Sequence, residues 1–194
     1  MSRVSVCNLC LNTGAAWYCR KDSIDVLGCP RCGLIYAAET REREDLVGHY
    51  GGHYFEPYLK TEAIHLKKRF GKRIEEIKNY AFSGTLLDVG CGAGFFVKLA
   101  NDSGYAGEGL ELSPFAAQYA SRQLGLRVFQ GKLAEAGFAD QSFDIVTLWH
   151  IIEHVRDPRT FLGQVNKLLK NNGLLALEIP NILTVYAVKR GANR

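Results

Sequence analysis

The stretch from Thr85 to Glu111 constrains the fold of this chain more than any other part of its sequence. It begins with a short apolar run, continues through the glycine turn Gly90–Gly94, and takes up helical spacing over residues 95–103. A β-rich apolar run bounded by glycine is typical of a buried parallel strand. Glycines at alternate positions allow positive φ and close approach of a ligand, and the helix that follows offers unpaired N–H groups. The stretch therefore predicts strand, ligand-binding turn and helix, then a second strand that ends on Glu111.

The rest of the chain continues this alternation of strands and helices. Ser113-Pro114 provides an N-cap and a first-turn proline for a helix that ends at Gly125. Further elements are predicted as strands at 127–130, 143–149 and 174–179, with a helix that begins at Asp157-Pro158 and ends at 171–173. Regular alternation demands a mostly parallel sheet with helices on both faces, so the predicted class is a doubly wound α/β fold.

Two motifs carry a resemblance to a known family. The run Asp88-Val-Gly-Cys-Gly-Ala-Gly94 resembles the first motif of the Rossmann-like, class I S-adenosylmethionine-dependent methyltransferases. The segment from Ser142 to Pro158 is similar to the fourth-strand region of the ubiquinone-biosynthesis type of small-molecule methyltransferase. The resemblance extends from about Thr85 to Asn181. The glycine spacing is a poorer match to nicotinamide enzymes, whose fingerprint has its third glycine one position later.

The resemblance implies a binding site for S-adenosylmethionine. Glu111 is expected to accept the two ribose hydroxyls, and the glycine turn to lie against the cofactor through its backbone. Many relatives carry an acid for the adenine after the third strand, whereas this chain has Gly131-Lys132-Leu133 there, which leaves backbone groups for that role. The predicted cofactor residues are Asp88, Gly90, Cys91, Gly92, Gly94, Phe95, Glu111, Leu112, Lys132, Leu133 and Trp149.

Four cysteines form a second strong pattern. Cys7-x-x-Cys10 and Cys29-x-x-Cys32 are separated by 18 residues, a spacing typical of structural zinc sites. The pattern predicts one Zn²⁺ in a zinc ribbon, with two disulfides in a secreted protein as the alternative. Cys19 and Cys91 are then free thiols that fill apolar space.

Three segments follow from these patterns: a zinc ribbon at 1–40, a linker and N-terminal helix at 41–82, and a methyltransferase domain at 83–194. The loop 49–55 is interpreted either as a flap over a ligand or as aromatic packing between modules. The helix that follows carries apolar residues at helical intervals and a basic face over 67–73. Only thirteen residues follow Asn181, so the sheet is expected to be incomplete, and its edge to be covered by a partner or a second copy of the chain.

His150, Glu153 and His154 are the predicted catalytic residues. They lie after the fourth strand, at the carboxyl end of a parallel sheet, where doubly wound folds bind their ligands. The H-x-x-E-H spacing also occurs in one class of zinc peptidase, but no further ligand or peptidase architecture accompanies it here. His150 is expected to act as general base, and Glu153 and His154 either orient it or help to hold a divalent cation.

The predicted function is methyl transfer from S-adenosylmethionine to a small-molecule acceptor, such as a sugar or another metabolite. One alternative is a ribosomal RNA methyltransferase that grips RNA with the ribbon and the basic helix. Another is a cofactor-binding regulatory subunit without turnover. A net charge of +4 gives no strong signal for nucleic acid, and the absence of a long apolar run or signal peptide indicates a cytoplasmic protein with no membrane partner.

Overall fold

The computed structural model describes residues 6–21, 23–38, 55, 59 and 63–180, with side chains in the last range from residue 68 onwards. The chain divides into two compact units. The first contains Met1–Glu44, Ile152–Gly163 and Ile179–Arg194, and the second contains Asp45–Ile151 and Gln164–Glu178.

The described elements follow one another in the chain as three strands, a helix, and then alternating strands and helices. They are β1 Ala16–Lys21, β2 Ile24–Gly28, β3 Ile35–Ala37, α1 Ala63–Lys78, β4 Gly84–Val89, α2 Phe95–Asp102, β5 Tyr105–Glu111, α3 Pro114–Leu124, β6 Val128–Gln130, a 3₁₀ turn Leu133–Glu135, β7 Phe143–Trp149, a 3₁₀ turn Ile152–His154, α4 Pro158–Leu168 and β8 Leu169–Glu178. No helix among these described residues has the length and apolar character needed to cross a membrane.

In the first unit, β1, β2 and β3 form an antiparallel sheet in that order. The two Cys-x-x-Cys segments lie beside it as tight turns, in which Leu11 N donates to Cys7 O and Gly33 N to Cys29 O, both at 2.9 Å. Gly33 has φ 76°, a left-handed conformation that glycine adopts without strain. Strands β1 and β2, which lie between the two cysteine pairs in the sequence, pair antiparallel.

The second unit contains a five-stranded sheet in the order β6-β5-β4-β7-β8, in which every neighbouring pair is parallel. The predicted doubly wound, Rossmann-like α/β class is therefore confirmed. Helices α1 and α2 pack on the sheet through one apolar cluster that includes Ile74, Ile77, Leu86, Phe96 and Ile145. Because every strand of this sheet runs in the same direction, the carboxyl ends of β4, β5, β6, β7 and β8 meet along one edge.

The sequence also predicted the end points of several elements. Ser113 caps α3 by accepting from the Ala116 amide, and Gly125 ends that helix with φ 66°. The prediction for the last helix and strand was wrong, because α4 ends at Leu168 and β8 begins at Leu169. Leu169 already pairs with Phe143, and a bulge leads to the next pair, Ile145 with Leu174. The first residue of β8 therefore pairs with β7 instead of continuing α4 by another turn.

Candidate active site

The glycine turn joins β4 to α2 with three left-handed residues, Gly90 at φ 74°, Gly92 at φ 55° and Gly94 at φ 84°. A Cβ atom at Gly90 would lie 2.1 Å from Ile151 Cδ1, and one at Gly94 would lie 2.6 Å from Leu126 Cδ1. Both glycines are therefore required by the packing of the chain itself. At Gly92 the nearest atom to such a Cβ is Phe55 Cε1 at 3.5 Å, an ordinary contact. Gly92 is the position in this turn where backbone is left for a ligand to approach.

Glu111 fixes the glycine turn from the end of β5. Its Oε2 accepts from Gly92 N at 2.8 Å, and its Oε1 accepts from Ser113 N at 2.7 Å. The side chain is only 7% exposed. Burial raises the pKa of Glu111, and the amides of Ser113 and Gly92 partly offset this rise. Each carboxylate oxygen retains a second lone pair, so the predicted ribose contact is compatible with these two bonds.

Asp88 is buried beneath the same turn, at the end of β4. Thr147 Oγ1 of β7 donates to Asp88 Oδ1 at 2.6 Å and so ties the two strands together. Burial raises the pKa of Asp88 to about 7, although the Thr147 hydroxyl and the charge of Arg73 act in the opposite direction. Asp88 thus supports the turn from below, and its protonation changes near neutral pH.

This pKa shift predicts a specific pH dependence of stability. An unfolded Asp titrates near pH 4, so between about pH 4 and 7 the folded chain keeps a proton that the unfolded chain has lost. The free energy of unfolding must fall as pH rises through this window. In Asp88→Asn, which keeps the acceptor for Thr147 but cannot ionise, we expect stability relative to wild type to rise by about 2 kcal/mol from pH 5 to pH 8. Urea denaturation followed by circular dichroism at both pH values measures this, and parallel profiles would contradict it.

A polar cluster lies at the carboxyl ends of β7 and β8. His150 Nε2 is 2.9 Å from Glu178 Oε1, and His150 N donates to Glu178 O at 2.9 Å. Arg73 Nε of α1 donates to Glu178 Oε2 at 2.8 Å, and its guanidinium lies over the Trp149 ring, 4.3 Å from the centroid. Burial alone would raise the pKa of Glu178, but the hydrogen bond and charge of Arg73 and the neighbouring His150 hold it below its ordinary value. Glu178 is therefore a carboxylate that fixes the imidazole of His150.

Sequence reasoning missed Arg73 and Glu178. Arg73 is 4% exposed, yet it belongs to a basic run that the sequence places on a solvated face. Arg73 lies one residue before Ile74, among the apolar residues that recur along α1. This position was the signal in the sequence that its side chain could be buried. Glu178 was visible only as an acid near the end of the last predicted strand.

The three predicted catalytic residues do not lie on one helical face. His150 has φ 59° in the turn after β7, and only Ile152–His154 form a short 3₁₀ turn, in which Glu153 and His154 are exposed. The left-handed residue breaks the helical spacing that the H-x-x-E-H pattern requires. Within the part of the chain that the structure describes, the four N-terminal cysteines are the group that gathers metal-ligating atoms.

The other predicted cofactor residues lie at or near the same edge of the sheet. Cys91 packs against Val97, Ala120 and Leu126, and burial raises the pKa of its thiol, so it acts as a small apolar side chain. The Trp149 ring contacts Phe96 edge to face with centroids 5.2 Å apart. The remaining positions are Phe95 at the start of α2, Leu112 just after β5, and Lys132 and Leu133 just after β6. From the predicted loop 49–55 only Phe55 lies within the described residues, and its ring stacks on Phe115.

The four cysteines of the first unit form a compact sulfur cluster. All of their Sγ atoms lie within 4.8 Å of one another, with Cys7–Cys32 at 3.6 Å and Cys10–Cys29 at 3.5 Å. Tetrahedral Zn²⁺ with bonds of about 2.3 Å requires sulfurs about 3.8 Å apart, so the donor set fits this metal. All six cysteines of the chain are free thiols, which disfavours the disulfide alternative.

Backbone groups favour an ionised thiol within this cluster. Burial opposes ionisation of Cys29, but the amides of Cys32 and Arg31 and the thiol of Cys10 outweigh it and lower the pKa of Cys29 to about 6. The Leu34 amide favours the thiolate of Cys32, whereas burial and the neighbouring sulfurs raise its pKa to about 12. Four thiols in mutual contact cannot all ionise without a cation to balance them.

Comparison with known proteins agrees with this fold. Residues 55–192 match the model of a family described as a methyltransferase domain. This match covers more than half of the chain, so the chain belongs to the methyltransferase domain family. Its sheet has the fold of the class I S-adenosylmethionine-dependent methyltransferases.

Individual relatives point the same way. The ubiquinone biosynthesis O-methyltransferase of Caulobacter vibrioides is 37% identical over 98 residues, which cover 47% of this chain and 38% of that protein. The mitochondrial ubiquinone biosynthesis O-methyltransferase of Schizosaccharomyces pombe is 34% identical over 104 residues, which cover 50% of this chain and 38% of that protein. The chain therefore spans little more than a third of the length of these relatives.

Two solved structures share the fold. A SAM-dependent methyltransferase from Thermotoga maritima superposes with a TM-score of 0.55 at 25% identity, over 71% of this chain and 65% of that one. A SAM-dependent methyltransferase from Archaeoglobus fulgidus superposes with a TM-score of 0.53 at 21% identity, over 66% of this chain and 62% of that one. The second likeness concerns the fold alone.

Proposed function

We propose that this chain binds S-adenosylmethionine and transfers its methyl group to a small-molecule acceptor. The observation that carries the proposal is the geometry of the turn at Gly92. The backbone of Gly92 is accessible there, and Glu111 fixes its amide. Packing of the chain requires the neighbouring glycines Gly90 and Gly94. The similar structure from Thermotoga maritima is that of a SAM-dependent methyltransferase, which supports the same cofactor.

The residues at the turn fit this cofactor. Gly92 permits close approach of the ligand, Glu111 offers acceptor lone pairs for the ribose hydroxyls, and Lys132 and Leu133 offer backbone groups for the adenine. When bound, the cofactor supplies an electrophilic methyl group on a sulfonium. The chain itself needs to hold that group in line with the acceptor and, where the acceptor is a hydroxyl, to remove a proton.

His150 is the residue we assign to proton removal. It lies at the carboxyl end of β7, and its Nε2 contacts the Glu178 carboxylate at 2.9 Å. A carboxylate that orients an imidazole and stabilises its protonated form is the usual partner of a histidine base. If Nε2–H donates to Glu178, Nδ1 is the nitrogen that accepts the proton of the acceptor.

His150→Ala is therefore expected to lower turnover on a hydroxyl acceptor by about 10²-fold or more, in the range usual for a general base. The affinity for the cofactor should change little. Release of S-adenosylhomocysteine, followed over a panel of hydroxylated metabolites, tests both turnover and the loss of the acidic limb of the pH profile. Turnover within about twofold of wild type would remove His150 from this role.

Two further sets of variants distinguish a mechanism in which His150 is the base from one that a divalent cation assists. If a divalent cation acts with Glu153 and His154, His154→Ala and Glu153→Ala should lower turnover as much as His150→Ala, and EDTA should abolish it without loss of the ribbon metal. If His150 acts as a base held by Glu178, Glu178→Gln should lower turnover less than His150→Ala does. The rate of Glu178→Gln should reach half of its maximum at a lower pH than in wild type, because the protonated imidazole loses the carboxylate that stabilises it.

We also propose that Cys7, Cys10, Cys29 and Cys32 hold one structural Zn²⁺. The mutual sulfur distances and the lowered pKa of Cys29 support this ligand set. The remaining expectations stay predictions: a cytoplasmic location, the absence of a membrane partner, a second chain or copy at the sheet edge, and the RNA and regulatory alternatives.

A further inference from the structure

A basic pocket opens beside the polar cluster of the second unit. Its volume is about 370 Å³, and its lining side chains are Lys68, Arg69, Lys72, Arg73, Glu76 and Glu178. All but Glu178 lie on one face of α1, because they recur at spacings of one, three and four residues. Neither His150 nor the glycine turn lines this pocket, but Arg73 and Glu178 belong both to the pocket and to the polar cluster around His150.

The charges in this pocket do not balance. Among the lining residues that the structure describes, four cations face two carboxylates, which gives these six side chains a net charge of +2. Glu178 is already engaged by Arg73 Nε at 2.8 Å and by Arg73 Nη2 at 2.7 Å, whereas Arg69 Nη2 is 3.8 Å from it and remains 46% exposed. Lys68 and Lys72 have exposed side chains. Arg69 and Lys72 therefore present positive charge toward the open side of the pocket.

The pocket is also coupled to the proposed base. Glu178 is shared, since its Oε1 contacts His150 Nε2 at 2.9 Å and lies 3.8 Å from Arg69 Nη2. A molecule held by Arg69 would therefore sit within one side-chain length of His150. A volume of this size accommodates the polar end of a metabolite.

From this arrangement we infer that the methyl acceptor carries a dianionic group, a phosphate monoester, that docks on Arg69 and Lys72 while its reactive hydroxyl faces His150. This inference rests on the proposed function. A phosphate monoester carries about −1.5 to −2 charges at pH 7, which matches the +2 of the pocket better than a single carboxylate does. Guanidinium and ammonium groups are the usual donors to phosphate oxygens.

Inorganic phosphate is the probe that tests this site in the full chain. Calorimetric titration at pH 7.5 and constant ionic strength should show saturable binding. Arg69→Gln/Lys72→Gln should weaken that binding at least fivefold. The matched control Arg122→Gln/Lys167→Gln removes two cations from α3 and α4 instead, and it should stay within twofold of wild type.

The outcomes separate this inference from the proposed function. Wild type that binds S-adenosylhomocysteine but shows no saturable phosphate binding overturns the pocket assignment alone. Wild type that binds phosphate but not S-adenosylhomocysteine overturns methyl transfer and, with it, the role of this pocket in holding a methyl acceptor. Equal loss in the control pair, or acetate binding as tightly as phosphate, shows nonspecific or monoanion binding and also overturns the inference.

Discussion

Gly92→Ala is expected to weaken S-adenosylmethionine binding by about 100-fold or more, corresponding to about 2.7 kcal/mol. Among the residues that the structure describes, the added methyl group meets only the Phe55 ring, at 3.5 Å. The methyl group should therefore act mainly by blocking the approach of the ligand to the backbone of Gly92. Alanine at φ 55° also adds backbone strain, which lowers the stability of the folded chain. Isothermal titration calorimetry with wild type and variant measures this difference.

Gly104→Ala controls for that strain. Gly104 has φ 96°, and a Cβ atom there would meet nothing within 4 Å. The two variants should lose comparable stability on unfolding, but only Gly92→Ala should lose cofactor affinity. If a folded Gly92→Ala protein binds the cofactor as wild type does, no ligand contacts this backbone position and the site lies elsewhere.

Removal of the ribbon metal should have the largest effect on structure. The sheet of β1, β2 and β3 contains 14 residues in strands of six, five and three, and its apolar cluster centres on Cys7, Cys29 and Tyr36. We expect so small a core to depend on the proposed Zn²⁺, because structural zinc contributes about 10–16 kcal/mol of apparent binding free energy in zinc-finger peptides. We expect one zinc per chain by elemental analysis, and loss of amide-exchange protection in β1–β3 when the metal is stripped.

Cys29→Ser and Cys19→Ser form a matched pair for this prediction. Cys29 belongs to the sulfur cluster, whereas Cys19 lies in β1 and is not part of it. The first substitution should lower zinc content and unfold the ribbon sheet, and the second should leave one equivalent bound. A metal-free chain with two intact disulfides, or equal zinc loss in both variants, would contradict the assignment.

The sequence was sufficient for those features that local chemistry determines. Strand β7 has the predicted bounds Phe143–Trp149, and α3 has the predicted cap Ser113 and end Gly125. In each case, apolar periodicity and one or two special residues at the ends leave little choice of structure. The parallel order of the sheet followed from the alternation of elements, because parallel strands need crossover connections.

Other features depend on partners that are distant in sequence. Arg73 and Glu178 are 105 residues apart and meet only because α1 packs beside the end of β8. The start of β8 at Leu169 depends on pairing with Phe143, and residues 169–173 alone gave no sign of it. The H-x-x-E-H residues do not form one helical face, because His150 adopts a left-handed conformation that no local pattern indicated.

Calorimetric titration of the wild-type chain with S-adenosylmethionine tests the proposed cofactor site directly. We expect saturable binding of one cofactor per chain, displaced by S-adenosylhomocysteine and weakened by Gly92→Ala but not by Gly104→Ala. A chain that is folded by circular dichroism and amide exchange, yet takes up no S-adenosylmethionine, would contradict the claim that this is a methyltransferase.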